Sequence, residues 1–455
     1  MKRILIISIA LLATVSLYAG VETGPDGQII KTGYNIGPLP AIAYDADKGL
    51  QLGAVLQLFN YGDGHNYPGY NSKIYLEYSY FTKGSQLIQL RYDNKELIPG
   101  VRWSSSLRVN LDRAMDFYGF NGYGSYYDYS KILSGKDKAS SDPIFTPFYK
   151  YQRNEARFKT DFLGEITDGL RWEAGLFFDY YKLGSIDYNN INKGKSDAKK
   201  YPETYPTLYD YYKKAGIISE AERDGGYAGG VRAGFVYDTR DKEGAPSRGI
   251  WADAHVIAAL PGISKMPYYK YSLTWRHYVP IVSDDVLTFA YRLNYEGTFG
   301  KSIPFYALSY ITNMGEKCDF EGMGGYQTVR GIVRNRVVGL DMATYTAEMR
   351  WRFVKFHIGK QNIALALNVF SDGSMVTRGV DISKLNGMTG TISPVVGQAK
   401  EVPHITFGGG FRFIMNENFI VAAEYGMPVT HLMKKSPLYN QDGTGAFYVN
   451  IGYLF

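Results

Sequence analysis

Cysteine is almost absent from this sequence, and the single Cys318 among 455 residues excludes an internal disulfide framework and a cysteine-based zinc site. Long apolar runs are missing too: after Val15 no stretch is apolar enough for a transmembrane helix. An excess of one charge sign is also lacking. The balance of 50 Lys and Arg against 44 Asp and Glu leaves only +6, with no basic-aromatic patch, which gives no ground for nucleic acid as a partner. Catalytic signatures are absent as well. His65, His255, His277, His357, His404 and His431 are scattered, and none joins a Gly-x-Ser-x-Gly, a His-Glu-x-x-His or an evident Ser/His/Asp grouping. No spaced acidic motif for calcium occurs in the loops. The expectation is a protein that is not an enzyme, with no cofactor and no metal.

What is present begins with the leader. Met1-Lys2-Arg3, the apolar run Ile4 to Val15 and the small residue Ala19 form the pattern of a secretory signal peptide cleaved after residue 19. Residues 20–34 then read as a short periplasmic segment, and 35–455 as one unit. Tyrosine (41) and glycine (51) are heavily used in that unit without hydrophobic blocks. That is the composition expected when apolar side chains take alternate positions on strands facing lipid.

The alternation is explicit at the C-terminus. Phe447, Val449, Ile451, Tyr453 and Phe455 are apolar or aromatic, while Tyr448, Asn450 and Gly452 between them are mostly polar or small. This terminal aromatic set is the expected signal for assembly of the barrel. The same period of two predicts sixteen strands at 35–45, 49–60, 72–82, 85–94, 100–111, 152–165, 169–183, 228–240, 249–258, 267–279, 286–298, 342–354, 361–370, 404–415, 418–426 and 446–455. Most are longer than the strands of a soluble sandwich and match the length a tilted strand needs to cross hydrocarbon. Hydrocarbon leaves no backbone group without a partner in the protein, so such a sheet must close on itself. The fold class is therefore an all-β, sixteen-stranded antiparallel transmembrane β-barrel with both ends in the periplasm of a Gram-negative cell.

Loop lengths agree. The long connections, 112–151, 184–227, 299–341 and 371–403, follow strands five, seven, eleven and thirteen, all odd. Even connections such as Ile166-Thr167-Asp168-Gly169, Ser283-Asp284-Asp285 and Asn416-Glu417-Asn418 are short and carry turn chemistry. On the inward parity fall Arg232, Asp238, Arg276, Arg292, Glu296, Glu348, Arg350, Arg352 and Arg412, which a wet lumen tolerates.

In the eleventh connection stands Gly324-Gly325-Tyr326-Gln327-Thr328-Val329-Arg330-Gly331, followed in strand thirteen by Asn368-Val369-Phe370-Ser371-Asp372-Gly373. With Asp238-Thr239-Arg240 and Pro246-Ser247-Arg248-Gly249 after strand eight, the first hairpin Pro40 to Gly49 and the aromatic last strand, these resemble the BamA-like surface-antigen superfamily over essentially the whole mature chain. The resemblance implies that the long loop before strand twelve folds inward, with Val329-Arg330-Gly331 at its tip. It further implies that Arg330 meets Asp372, with Glu348 a second partner. Ser374 and Ile332 depart from the usual pattern around this seat. The segment from Gly20 to the first strand is too short for a periplasmic POTRA domain, so the likeness is to the barrel-only branch.

Three functions stay open. The first is assistance to insertion or passage of proteins or lipids through a seam between strands one and sixteen, where Gly33, Gly37, Pro38 and Pro40 loosen pairing. The second is a passive channel or a structural, surface-binding barrel whose aromatic loop (Tyr118, Tyr123, Tyr126, Tyr127, Asp128, Tyr129) makes contacts outside the cell. The third, an enzyme within the barrel, has no motif behind it. Expected partners are outer-membrane lipids, the barrel assembly machinery for its own insertion, and separate periplasmic or surface lipoproteins.

Overall fold

The computed structural model describes residues 20–23, 29–45, 49–129, 132–133, 144–282, 285–386, 397, 399–417 and 419–451. The expected signal peptide at 1–19, Tyr453 and Phe455 lie outside the described residues. Sixteen strands form one antiparallel sheet curled into a barrel. They are β1 (Tyr34–Asp45), β2 (Gly49–Asn60), β3 (Ser72–Phe81), β4 (Gln86–Ile98), β5 (Val101–Asp116), β6 (Lys150–Thr167), β7 (Leu170–Gly184) and β8 (Gly225–Asp238), then β9 (Gly249–Ala259), β10 (Tyr268–Val282), β11 (Leu287–Phe299), β12 (Asp341–Ile358), β13 (Gln361–Arg378), β14 (His404–Met415), β15 (Phe419–Pro428) and β16 (Ala446–Ile451). No helix among the described residues is long and apolar enough to cross a membrane.

The period of two decides the faces. On β7, Leu176, Phe178 and Tyr180 are exposed on the outside while Phe177, Asp179 and Tyr181 are buried inside. Each strand pairs with its neighbour in sequence, and β16 returns to β1. Among the described residues that last contact is thin: β16 pairs residue for residue with β15 from Ile451/Val421 to Ala446/Gly426, but with β1 it makes one pair, Val449 with Tyr44.

Strand boundaries differ most on β13, which runs to Arg378 instead of stopping at Phe370, so the connection after it starts at 379 rather than 371. Ser371 to Gly373 looks like a turn in sequence, yet each polar group has a place in the sheet. Asp372 points into the lumen. Gly373 has no outer side chain, and the Tyr345 ring of β12 covers it so closely that a Cβ would stand 2.3 Å from the ring. A neighbour's aromatic ring thus supplies the missing outer surface.

The long connections 117–149, 185–224, 300–340 and 379–403 leave one end of the barrel, and their described residues build a dome there. Its core joins Phe117, Phe120 and Tyr127 of the first to Tyr209 and Tyr212 of the helix Leu208–Lys214 and to Phe305 and Tyr306 of the helix Phe305–Leu308. Edge-on rings such as Phe117 and Tyr212, with centroids 5.0 Å apart, add about 0.5–1.5 kcal/mol each to simple burial. This corrects the view of the aromatic loop as an adhesive surface: Tyr118, Tyr123 and Tyr127 are buried in the dome, Tyr126 is half-buried, and Tyr129 is exposed.

At the other end, the turn 239–248 crosses beneath the mouth. Glu243 reaches Lys95 of β4 (2.9 Å) and Arg102 of β5 (3.0 Å). Ala245 is buried with Ala364, Ala366, Ile414 and Ile420 of β13 to β15 on the far wall. A hairpin ahead of β1, Gly20–Thr23 with Ile29–Thr32, is tied to the same end through Asn362, whose side chain exchanges two hydrogen bonds with the backbone of Ile29 (3.1 and 2.9 Å).

Candidate functional site: a loop seated in the lumen

The connection from β11 to β12 contributes its helix Phe305–Leu308 to the dome and then enters the barrel. Its seat begins with a glycine pair. Gly324 and Gly325 take φ of +118° and +81°, open to glycine at little cost, and fold the chain so that the Gly324 N–H donates to the Thr328 hydroxyl (2.9 Å). Thr328, Val329 and Arg330 are thereby held against the wall formed by β12 to β16, with no exposed surface.

Arg330 is the centre of the seat. Its Nε and Nη2 donate to the two oxygens of Asp372 (2.8 and 2.9 Å), and its backbone N–H donates to the same carboxylate (3.0 Å). Its Nη1 lies 2.8 Å from Glu348 Oε1 and donates to Glu424 Oε1 (3.1 Å). The guanidinium also lies 3.4 Å from the centroid of the Phe370 ring, so a flat cation is stacked and ligated in its own plane at once. Burial opposes the charge on Arg330, but Asp372, Glu348 and Glu424 more than offset it and keep the guanidinium protonated.

Those carboxylates are shared. Arg412 Nη2 donates to Glu424 (2.6 Å) and Glu348 (3.1 Å), and Arg350 Nε donates to Glu348 (2.9 Å). Three arginines thus face three carboxylates, drawn from the loop and from β12, β13, β14 and β15, and all six side chains are buried. Such a cluster repays its desolvation only while every member is present.

Backbone approach completes the seat. The Gly331 N–H donates to the Tyr448 hydroxyl of β16 (3.2 Å), and a Cβ on Gly426 would stand 2.6 Å from the Arg330 carbonyl oxygen. The loop therefore touches the strands on the β16 side of the thin seam. Sequence reading had singled out Val329, Arg330, Gly331, Asp372 and Glu348, and the structure brings all five together. Sequence reading leaves Arg412 as lumen lining and does not single out Glu424. The available signal was that each is the one Arg, Lys, Asp or Glu on its strand. The departures are both accommodated inside: Ile332 and Ser374 are buried. Of the expected assembly signal, Phe447 is exposed on the outer face and Val449 is half-buried.

The same loop also reaches the opposite wall. Residues 312–319 run to β3 and β4, where Glu316 meets Lys73 (2.8 Å) and Arg91 (3.3 Å), and Asp319 meets Arg157 of β6 (2.7 Å). Arg334 bridges to Asp112 and Asp116 of β5 (3.2 and 3.0 Å). In the dome, a cluster missed in sequence joins His404 to Asp442 (2.6 Å), with Tyr123 stacked on the imidazole at 3.8 Å. Burial pushes the Asp442 carboxyl up, but His404 and Arg336 hold it below the usual range. Among the described residues no group of His, Cys, Asp and Glu is arranged to hold a metal ion.

This geometry has relatives. The family model described as the Omp85 superfamily domain matches residues 66–455. Among solved structures, BamA from Haemophilus ducreyi lacking POTRA domains 1-3 is 16% identical with a TM-score of 0.52, covering 99% of this chain and 78% of that one. CdiB from Escherichia coli is 9% identical with a TM-score of 0.51, covering 98% of this chain and 68% of that one. No curated protein matches this chain.

Proposed function

This chain belongs to the Omp85 superfamily of Gram-negative outer-membrane β-barrels, and from that premise we propose that it assists the insertion or passage of proteins or lipids by parting its sheet between β1 and β16. The observation that carries this reading is the seam. Among the described residues, the six of β16 that complete their ladder with β15 make one pair with β1. Pro38 and Pro40 lie within β1, and the ladder to β2 runs unbroken through Pro38/Leu56 and Pro40/Ala54. Their missing N–H groups therefore fall on the seam side, where proline is tolerated in sheets. The work is mechanical and needs no catalytic group. Clients reach the seam unaided or through a separate periplasmic or surface lipoprotein partner.

The alternative of a passive channel is the weaker reading, because the loop and the turn 239–248 occupy the lumen and its mouth. The seam is tested by Tyr44→Cys with Val449→Cys in a Cys318→Ser background, reconstituted in liposomes and assayed for insertion of an unfolded barrel protein and for lipid transfer. The oxidised protein is expected to be inactive and to recover on reduction. Equal activity in both states would remove the mechanism.

A further inference from the structure

Lys317 lies in the part of the lumen loop that crosses to the opposite wall and, among the described residues, its ammonium pairs with no carboxylate. Its Nζ stands 4.7 Å from the centroid of the Trp251 ring, and the guanidinium carbons of Arg240 and Arg276 each stand 3.9 Å from the same centroid. An indole has two faces, so three cationic heads around one ring place at least two on the same side. The ring attracts each cation, yet it carries no net charge with which to neutralise their mutual repulsion.

Two of the three have their own anions. Arg240 is held by Asp238 (2.8 and 2.6 Å) and Arg276 by Asp253 (2.6 Å). Lys317 does not: among the described residues its ammonium has no hydrogen-bond acceptor, and the adjacent carboxylate of Glu316 is engaged by Lys73 and Arg91. Arg276 also keeps a buried Nε without an acceptor. Burial, with Arg276, Arg240 and Arg292 close by, pushes the Lys317 ammonium well below its usual range. The site is short of negative charge, and it holds donors on separate side chains that point to a small polyvalent acceptor more than to a single planar one.

We propose that Lys317, Arg276 and Arg240 form an oxyanion site in the barrel that binds a phosphate group. Arg240 opens the turn 239–248 and Trp251 stands near the start of β9, so the site is at the periplasmic end of the lumen. Two sources of that chemistry reach this end: inorganic phosphate in solution and the headgroup of an anionic phospholipid.

The test is calorimetric titration of the whole protein, purified in a neutral phosphate-free detergent, with inorganic phosphate at constant ionic strength, and in parallel with phosphatidylglycerol dispersed in the same detergent. Saturable binding of phosphate assigns the soluble source, and binding of the lipid alone assigns the headgroup. Lys317→Met is expected to weaken either at least tenfold, and Lys317→Arg, which keeps the charge and the stacked position, to stay within about threefold. Absence of binding in both arms of the wild type overturns the proposal without reference to any variant. So does unchanged affinity in a Lys317→Met protein that retains its folded, heat-modifiable mobility.

Discussion

One loop is held in the barrel at two places by the same chemistry, opposite charges within hydrogen-bond reach, yet the two places differ in kind. At the Arg330 seat all the partners are buried, three carboxylates share three arginines, and the backbone of Gly331 lies against Gly426. At the Glu316 tip the side chains of Lys73, Arg91 and Glu316 keep between 16% and 21% of their surface open to the lumen. Water and mobile ions screen the second place and not the first. The seat should therefore behave as a unit that fails when one member is removed, and the tip as a weak, adjustable anchor.

The largest effect is expected from Arg330→Ala. It leaves Asp372 and two shared carboxylates buried around a missing cation, a loss of about 3–5 kcal/mol for a broken buried cluster. The midpoint of heat-modifiable electrophoretic mobility should fall sharply, and protease should gain access to 300–340. A variant as stable and as protected as the wild type would erase the distinction between the two places.

Gly426→Ala comes next. It keeps every charge and adds one methyl group 2.6 Å from the Arg330 carbonyl oxygen, so the loop or β15 must shift, at about 1–3 kcal/mol for overpacking. The same mobility midpoint measures it. Because its charge set is intact, a loss as large as that of Arg330→Ala would show that close backbone approach, rather than the ion cluster, carries the seat.

The unequal legibility of the two places has a physical cause. Alternation along single strands is a local property, so all sixteen strands and the inward parity of Glu348, Arg350 and Arg412 could be read directly. The resemblance of the Val329-Arg330-Gly331 tip supplied Asp372. What stayed hidden depends on register between strands. Glu424 joins the seat because β14 and β15 pair so that it stands opposite Gly410, whose missing side chain leaves it room. Strand β13 was cut short because its polar stretch is stabilised by a ring from β12, which single-strand periodicity does not register. The tip was not legible at all: nothing near Glu316 announces that it crosses the lumen to Lys73, or that Lys317 lands on Trp251 beside two arginines.

The smallest effect, and the one that sharpens the comparison most, is expected from Glu316→Gln. Burial pushes this carboxyl up, but Lys73 and Arg91 overcome that and hold it well below the usual carboxylate range. A depressed value in the folded state means that the ion pair stabilises the protein fully above the unfolded value of about 4.3, and that its contribution shrinks below it until it is lost as pH falls through the folded value. The wild type should exceed Glu316→Gln by no more than about 1 kcal/mol near neutral pH, in keeping with a partly solvated pair. That margin should narrow on acidification to about pH 3.5 and shrink with added salt near neutrality. The check is the difference in thermal midpoint between the two proteins at both pH values. If the margin grows as the solution is made acidic, or ignores salt, the tip is a second dehydrated lock and the two places are alike after all.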